Sequence, residues 1–297
     1  DAARLLRDLV AERAALELSA KTWAARVDEL VRERDEALSE FTRISSIAAD
    51  KIKALRAEVR CIAPDYPGFG FSGHPQGYGY TPREHASWVN ALIDHLGLTN
   101  IILVCHDWGG PIGLSIATQR PQDFSGLVIL NTWCWRPNLR STLFSLIMGS
   151  NFPGRYLQLK KNFFAKTVVP SSIFHKEKVT AVLQKAYTDP FPTEASRIGT
   201  WIFPREIRQS ADWLAETGSN LHRLRDKPAA LIWAMKDPAF GQPHYLARWQ
   251  TMFPQARVET LNDASHYLQE DRPDRIVEAI RTVRSARTKQ EPPRTAG

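Results

Sequence analysis

Two parts of the chain alternate short apolar runs of strand length with longer stretches of helical period. Five runs have the length and the apolar, β-branched content of buried strands. They are Val59–Asp65, Ile101–Cys105, Gly126–Asn131, Ala229–Met235 and Arg257–Leu261. This alternation predicts an α/β fold around a parallel sheet, because two parallel strands need a crossover connection that is usually a helix.

Helices are predicted between these strands. Thr81 suits an N-cap and Pro82 suits the first helical position, so one helix should run to about Leu96. The other segments with a helical pattern are Ile112–Ala117, Gln242–Met252 and 271 to about 283.

Between residues 132 and 220 the alternation stops. This stretch is helical in pattern, rich in aromatic residues and interrupted by Pro. We interpret it as a helical cap that is inserted between two strands and supplies an apolar lid. The alternative is that its aromatic residues fill the core, where most of them are expected in either case.

Residues 1–57 contain neither Gly nor Pro and repeat apolar residues at an alternating 4-3 spacing. The apolar positions are Ala2, Leu6, Leu9, Leu16, Ala20, Trp23, Val27, Leu30, Ala37, Phe41, Ile44 and Ala48, and Arg13 and Arg34 interrupt them. Such a seam predicts a long helix with a coiled-coil or helical-hairpin partner, which would allow a homo-oligomer. The alternative is an amphipathic helix folded onto the protein's own surface, because the helix is not expected to be stable alone.

Composition excludes some classes of function. The net charge is +7, but Lys and Arg are spread along the chain without a nucleic-acid motif, so we expect a solvated basic surface and no nucleic acid. No segment approaches the roughly 20 apolar residues of a membrane span, and no membrane partner is expected. Cys61, Cys105 and Cys134 have no disulfide or metal-ligand spacing, and the N-terminus has no signal-peptide pattern. These features predict a cytoplasmic protein without a metal or cofactor.

One strand ends in a segment with the form of a nucleophile elbow, the sharp strand-to-helix turn that lifts a side chain above the sheet. The strand ends at Cys105, Asp107 stands at the raised position, and Gly109 and Gly110 follow. Both glycines are expected to let the next helix pack close to the strand.

Two further residues follow later strands. Asp237 comes after the strand at 229–235, and His266 comes after the strand at 257–261. Each alone is usually a helix cap or an ordinary surface or core residue. Together with Asp107 they form an acid, acid, histidine set at the carboxyl ends of three strands.

Several segments around these residues resemble haloalkane dehalogenases, which are α/β-hydrolases. The segments at the three predicted site residues are His106–Gly110, Trp233–Gly241 and Asp263–Asp271, and Ala186–Pro192 and Phe203–Arg205 are similar in the cap. The resemblance covers roughly residues 52 to 285, and the order nucleophile, acid, histidine is that of the α/β-hydrolases.

The resemblance implies an α/β-hydrolase fold with a helical cap. The core would be residues 58–131 and 221–285, and the cap residues 132–220. The N-terminal part would be replaced by the long helix at 1–57, and residues 286–297 are expected to be a disordered tail.

The resemblance also implies a reaction with a small halogenated hydrocarbon and water. Asp107 would attack the carbon that carries the halogen and form an alkyl ester, while the indole N–H of Trp108 binds the halide. His266, oriented by Asp237, would activate water to hydrolyse the ester. The second halide donor stays open among Trp133, Trp135 and Trp201.

The chain departs from this family at its N-terminal side. Full-length relatives have earlier strands and a loop with a His-Gly pair that donates one oxyanion N–H, and this sequence has no His-Gly dipeptide. One missing strand would lie between the strand at Val59 and the elbow strand. Because one oxyanion donor typically lowers the barrier by ~3 kcal/mol, we expect impaired activity.

Two other functions compete with dehalogenation. An epoxide hydrolase uses the same acids and histidine and needs two cap tyrosines facing Asp107, for which Tyr156 and Tyr187 are the candidates. A non-catalytic assembly protein would keep the hydrolase part as a scaffold and associate through residues 1–57.

Overall fold

The computed structural model describes residues 55–288. The strands are β1 (Ile101–Cys105), β2 (Phe124–Leu130), β3 (Ala229–Ala234) and β4 (Arg257–Leu261). The longer helices and the short helix that follows His266 are α1 (Pro82–His95), α2 (Gly109–Gln119), α3 (Leu139–Met148), α4 (Ala181–Thr188), α5 (Ile198–Gln209), α6 (Ala211–Asn220), α7 (Pro243–Met252), α8 (Leu268–Asp271) and α9 (Pro273–Thr288). The predicted α/β alternation is therefore present on both sides of residues 132–220, the segment that we call the cap for its predicted role.

The four described strands form one parallel sheet in the order β1-β2-β3-β4. Val104 pairs with Val128, Leu130 pairs with Ile232, and Ala234 pairs with Leu261. Since all strands run the same way, their carboxyl ends share one edge of the sheet, where the predicted site residues follow β1, β3 and β4.

Alternate residues of the strands face two different cores, as the pleat requires. On one face, buried Leu127, Ile129, Leu231 and Trp233 belong to the larger core, which includes residues of α2, α6 and α7. On the other face, the buried residues are Val128, Leu130, Ala230 and Ile232, and they pack with apolar residues of α9. Helices therefore cover both faces of the central strands, which explains their continuous apolar sequence.

The start of α1 agrees with the prediction. The Thr81 hydroxyl accepts the Glu84 backbone N–H at 3.3 Å, and the Glu84 carboxylate accepts the Thr81 backbone N–H at 2.9 Å. This capping box satisfies two backbone donors, and Pro82 occupies the first turn. The helix fixes the position of His85, which packs beneath the cap.

The segment 132–220 is helical, as the pattern predicts. It contains α3 to α6, two five-residue π-helical turns and a short helical turn at Val169–Ser171. The π turns are Tyr156–Lys160 and Phe164–Val168. Phe203 of α5 stacks on Trp108 with 5.4 Å between ring centroids, so this segment contacts the residue that follows Asp107.

The prediction of a strand at Val59–Asp65 is wrong, because this segment forms no strand ladder. A strand requires a hydrogen-bonded neighbour, and in the described sheet β1 pairs only with β2. The apolar pattern of 59–65 was therefore not sufficient without its partner. Glu58, just before it, is held by Arg281 at 2.6 Å and Arg284 at 2.9 Å on α9.

The C-terminal helix is longer than predicted. It ends at Thr288 and not near residue 283, so the first residues of the expected tail continue the helix.

The proposed long helix at 1–57 lies outside the described residues except for its last three positions, and residues 289–297 also lie outside. Within 55–288, no helix is long and apolar enough to cross a membrane.

Candidate active site

Asp107 stands on a strained turn between β1 and α2. Its φ is 46°, a left-handed conformation that L-residues rarely adopt. Two neighbours on the β2 side hold this turn: Asp107 donates its backbone N–H to the Asn131 carbonyl at 3.0 Å, and its carbonyl accepts the Thr132 hydroxyl at 2.6 Å. The predicted elbow geometry is therefore present and is fixed by hydrogen bonds.

The two glycines after the elbow differ in their roles. A Cβ on Gly110 would overlap the Thr132 side chain, so only Gly fits there. A Cβ on Gly109 would have the Tyr66 hydroxyl as its nearest neighbour, at 3.9 Å. The expectation that both glycines permit close packing is confirmed for Gly110 and wrong for Gly109, because Gly109 faces an open approach.

His266 and Asp237 form a hydrogen-bonded pair. His266 Nδ1 lies 3.0 Å from Asp237 Oδ2, and the other Asp237 oxygen accepts the Ala239 backbone N–H at 2.7 Å. The Asp237 side chain is fully buried, whereas the His266 side chain keeps 15% of its surface exposed. The loops after β3 and β4 thus bring together two residues that are 29 positions apart in sequence.

This pairing shifts both pKa values in the direction that favours the charged forms. Burial disfavours an imidazolium, but the charge and hydrogen bond of Asp237 and the charge of Asp107 raise the pKa of His266 above 6.5. Burial likewise acts against the Asp237 carboxylate, but the charge and hydrogen bond of His266 lower its pKa below 3.8. Asp237 therefore stabilises a positive charge on His266.

Asp107 lies close enough to the pair to interact with it electrostatically. Burial raises the pKa of Asp107; the Asp237 charge adds to this, while the His266 charge and a hydrogen bond from the Trp108 backbone N–H act to lower it. A carboxylate that is desolvated in this way is a better nucleophile than one in water. The backbone N–H of Trp108 donates to this carboxylate. The same N–H is therefore also placed to donate to the oxyanion of an ester on Asp107.

The Trp108 side chain is buried beside the nucleophile. Its ring lies 4.7 Å from Trp133 and 5.4 Å from Phe203, measured between centroids. The indoles of Trp201, Trp233 and Trp249 donate to backbone carbonyls, whereas none of the described residues accepts the indole N–H of Trp108. That donor remains available to an anion.

The three candidates for a second halide donor differ in the contacts that their indole rings make. Trp201 donates its indole N–H to the Ser150 carbonyl at 2.9 Å. Trp135 packs on Tyr245 and Trp249, away from Trp108. Trp133 alone of the three contacts the Trp108 ring.

Sequence reasoning missed His106 as part of the site. Its ring centroid lies 4.7 Å from that of His266. Burial, reinforced by the His266 charge, lowers the pKa of His106 to about 3, so it is neutral at pH 7. It packs against His266 without adding a second positive charge, and its position beside Asp107 in the sequence was the only available signal.

Two buried polar residues that support the site were also missed. Asn131 spans β2 and β3: its amide donates to the Ala234 carbonyl at 2.9 Å and accepts the Ala234 N–H at 2.7 Å. This clamp fixes the strand end from which the elbow is held. Only three-dimensional pairing reveals it, because the sequence shows merely a polar residue after an apolar run.

The second is Asp271, which is almost fully buried. Its carboxylate accepts three backbone N–H groups: Phe174 at 3.0 Å, His175 at 2.9 Å and Ser265 at 2.9 Å. Asp271 thereby ties the cap to the loop that carries His266. Asp271 lies in a segment that carries the family resemblance, but no local pattern pointed to its role.

Tyr66 is a further neighbour of the elbow. Its hydroxyl approaches Gly109, and its ring centroid lies 4.9 Å from that of His85, with the two rings tilted by 33°. Burial raises the pKa of Tyr66, and the charges of Cys105 and Asp107 raise it further, so the hydroxyl stays protonated as a donor. Its only sequence signal was its place in the Gly- and Pro-containing loop at the sheet edge.

No group of three or more His, Cys, Asp or Glu side chains in residues 55–288 is arranged to hold a metal ion. The chemistry that this site offers comes from a carboxylate on an elbow, a histidine with its acid, and an unoccupied indole donor.

The chain is similar to known proteins over most of its length. The profile of the α/β hydrolase fold family matches residues 48–273. Haloalkane dehalogenase 2 of Mycobacterium tuberculosis (strain ATCC 25618 / H37Rv) is 38% identical over 238 residues, which are 80% of this chain and 82% of the relative. A cis-3-alkyl-4-alkyloxetan-2-one decarboxylase of Xanthomonas campestris is 32% identical over 77% of this chain and 81% of its own length.

Solved structures agree with these relatives. The haloalkane dehalogenase DbeA from Bradyrhizobium elkani USDA94 is 28% identical and superimposes with a TM-score of 0.74 over 83% of this chain and 88% of its own. A putative ancestral haloalkane dehalogenase is 29% identical, with a TM-score of 0.72 over 82% of this chain and 88% of its own.

Proposed function

The chain belongs to the α/β-hydrolase fold family as a haloalkane dehalogenase-like hydrolase, and from this premise we propose that it converts haloalkanes to alcohol and halide through an ester on Asp107. The single observation that carries the proposal is the pairing of His266 with Asp237 at 3.0 Å beside a carboxylate on a strained elbow. The substrate would be a small halogenated hydrocarbon, and water would be the second reactant.

The first step is a displacement at a saturated carbon. An oxygen of Asp107 forms a bond to the carbon, and the carbon–halogen bond breaks with its electron pair on the halide. No proton moves, because halide is a weak base. The indole N–H of Trp108 donates to the departing anion, and Trp133 is the second donor that contact with Trp108 favours.

The second step is hydrolysis of the ester. The neutral His266 takes a proton from water, and the hydroxide formed attacks the ester carbonyl carbon. The Trp108 backbone N–H stabilises the oxyanion, and Asp237 stabilises the imidazolium. Collapse of the tetrahedral intermediate breaks the bond to the alkoxide, which takes the proton from His266 and leaves as the alcohol. The carboxylic acid that remains on Asp107 then releases its proton to solvent, which restores the carboxylate.

The second step should limit turnover. Among the described residues, the backbone N–H of Trp108 is the donor placed at the oxyanion. Because one such donor is worth ~3 kcal/mol, hydrolysis should be about 10²-fold slower than with two. We therefore expect the ester to accumulate.

The test is bromide release from 1,2-dibromoethane together with mass analysis of the protein. The His266→Phe variant should gain the mass of one alkyl group and release bromide in a single turnover. Asp107→Asn is the matched control and should gain no mass. If the wild-type protein releases no bromide and His266→Phe carries no adduct, the proposal is wrong.

The epoxide hydrolase alternative needs two cap tyrosines facing Asp107, and among the described residues neither tyrosine hydroxyl makes a hydrogen bond to Asp107. The Tyr187 hydroxyl donates to Glu270 at 3.0 Å. Tyr156 is exposed, and Lys161 Nζ lies 5.8 Å from its ring. Turnover of styrene oxide without bromide release would nevertheless reverse this order of preference.

A lactone decarboxylase is the second candidate. The observation in its favour is the identity of 30–32% to two relatives named cis-3-alkyl-4-alkyloxetan-2-one decarboxylases. A cis-3,4-dialkyl-oxetan-2-one should therefore be assayed beside 1,2-dibromoethane. Carbon dioxide release without bromide release would favour this candidate.

The assembly-protein alternative rests on residues 1–57, nearly all of which lie outside the described part. Sedimentation velocity of the full chain tests it, since a monomer would contradict a coiled-coil oligomer.

The three cysteines are free thiols, Cys105 and Cys134 buried and Cys61 exposed. This supports the proposed cytoplasmic location.

A further inference from the structure

The cap carries an unusually apolar exposed surface that the catalytic proposal does not use. Its members lie on α3 or directly after it, and we call them the cap patch. They are Leu139, Leu143, Phe144, Leu146, Ile147, Phe152 and Tyr156. Leu139 is 85% exposed and Phe152 is 78% exposed. Exposed apolar residues on a protein surface usually occur singly, whereas a group of them marks an interaction site.

The geometry of α3 explains why this face points outward. The helix packs on α5 through small residues: the Ser145 hydroxyl donates to the Arg205 carbonyl at 3.3 Å, and a Cβ on Gly149 would overlap the Arg205 backbone. Leu139, Leu143 and Leu146 are spaced by four and three residues and therefore share the opposite face.

The charge around the cap patch is entirely of one sign in the sequence. From residue 124 to residue 176 the chain has no Asp or Glu, while it has seven Lys and Arg. Lys161 Nζ lies 5.8 Å from the Tyr156 ring, and Arg155 and Arg205 lie on the Trp201 ring next to the patch.

Acidic groups from neighbouring elements neutralise only two of the patch's cations. Glu194 pairs with Lys160 at 2.6 Å, and Asp212 pairs with Arg136 at 2.5 Å. Within residues 55–288, the other five of the seven pair with no acid. They are Arg140, Arg155, Lys161, Lys166 and Lys176, and Lys176 donates instead to backbone carbonyls. The surface thus combines exposed Leu, Ile and Phe with uncompensated positive charge.

We propose that the cap patch docks the protein on an anionic lipid surface. Apolar side chains would enter the boundary between headgroups and acyl chains, and the surrounding cations would bind lipid phosphates. The sequence expectation of no membrane partner rested on the lack of a spanning segment, and surface docking needs no such segment. Docking is independent of the chemistry at Asp107, so either proposal can fail alone.

The experiment is flotation of the full chain with lipid vesicles. Vesicles of phosphatidylcholine mixed with phosphatidylglycerol should bind at least ~10-fold more protein than vesicles of phosphatidylcholine alone. Binding should weaken as salt screens the charges. Equal binding to both vesicle types, or no binding at low salt, would overturn the proposal.

Variants locate the surface. Leu143→Gln with Ile147→Gln should abolish binding, and Arg155→Gln with Lys161→Gln should reduce it, while thermal unfolding stays unchanged because these side chains are exposed. Val182→Gln is the matched control, since Val182 is 55% exposed on α4 and Leu143 is 56% exposed. If Val182→Gln weakens binding as much as Leu143→Gln with Ile147→Gln, the patch is not the docking surface.

Two other occupants would also overturn the proposal. A dimer that Leu143→Gln with Ile147→Gln dissociates, without vesicle binding, would assign the patch to a second copy. The second outcome concerns the monomer without vesicles. If the thiol of Leu143→Cys resists labelling there, another part of the same chain covers the cap patch.

Discussion

The two edge strands of the described sheet carry opposite parts of the site and differ in sequence. β4 has charged and polar residues where it is exposed, and Arg257 binds Glu278 at 3.2 Å. β1 is Ile-Ile-Leu-Val-Cys without a polar residue, and its Val104 is 41% exposed. β4 has the protected composition of a natural edge, whereas β1 has the composition of an interior strand.

This difference extends to the residues that follow each strand. His266, after β4, has Asp237 as a partner and is connected to the cap through Asp271. Asp107, after β1, is held from the β2 side by Asn131 and Thr132. The histidine side of the site is therefore supported from several elements, and the nucleophile side mainly from one.

The largest effect should come from the histidine side. Asp237→Asn removes the charge and the hydrogen bond that most strongly oppose the effect of burial and leaves only the charge of Asp107, so the pKa of His266 falls and the preferred tautomer is lost. Ester hydrolysis should slow by about 10³-fold or more. The exposed Asp226→Asn, before the same strand, is the control and should retain wild-type rates.

The pH profile distinguishes this role from a structural one. His266 acts as a base only when neutral, so hydrolysis falls as the pH drops through its raised pKa, above 6.5. In Asp237→Asn this acidic limb should move to lower pH. An unmoved limb would contradict the assigned pairing.

The next effect is on the nucleophile side. Trp108→Phe keeps an aromatic ring between Trp133 and Phe203 but removes the indole N–H, so single-turnover bromide release should slow by about 10²-fold. Trp201→Phe is the control, because its N–H is committed to Ser150. Equal losses in both variants would mean that the effect comes from packing and not from halide binding.

Asp271→Asn tests the connection between cap and histidine loop. It leaves a single acceptor oxygen for three backbone N–H groups, and the free energy of unfolding should fall by ~2 kcal/mol in denaturant titrations. Asp274→Asn, half exposed in its pair with Arg272, should cost under about 0.5 kcal/mol. Similar costs for both would show that Asp271 is not a structural tie.

Local patterns predicted the parts of this fold that depend on local sequence. The apolar runs located β1 to β4, and Thr81 with Pro82 located the start of α1. These features succeed because strand content and caps are set by neighbouring residues. The pairing of His266 with Asp237 was expected from the family resemblance and not from a local pattern, because the two residues are 29 positions apart.

The features that sequence missed depend on partners far along the chain. Residues 59–65 have a strand's composition but no ladder. Asn131 and Asp271 act through backbone groups of other elements, and Gly109 was assigned the steric role that only Gly110 has. A polar residue after an apolar run has the same appearance whether it clamps two strands or faces water.

The smallest expected effect is that of a substitution at the exposed Val104 of β1. Val128 of β2 is its partner in register, so the two positions compare the same residue type on an edge strand and on its neighbour. Val128 is fully buried, so Val128→Thr places a hydroxyl in the core and should lower the free energy of unfolding by ~1–3 kcal/mol. Val104→Thr should cost under about 0.5 kcal/mol, since water can solvate the hydroxyl at this exposed position. Denaturant titration of the two variants gives both values. Equal costs would mean that the outer side of β1 is covered in solution, and the contrast between the two edges would then fail.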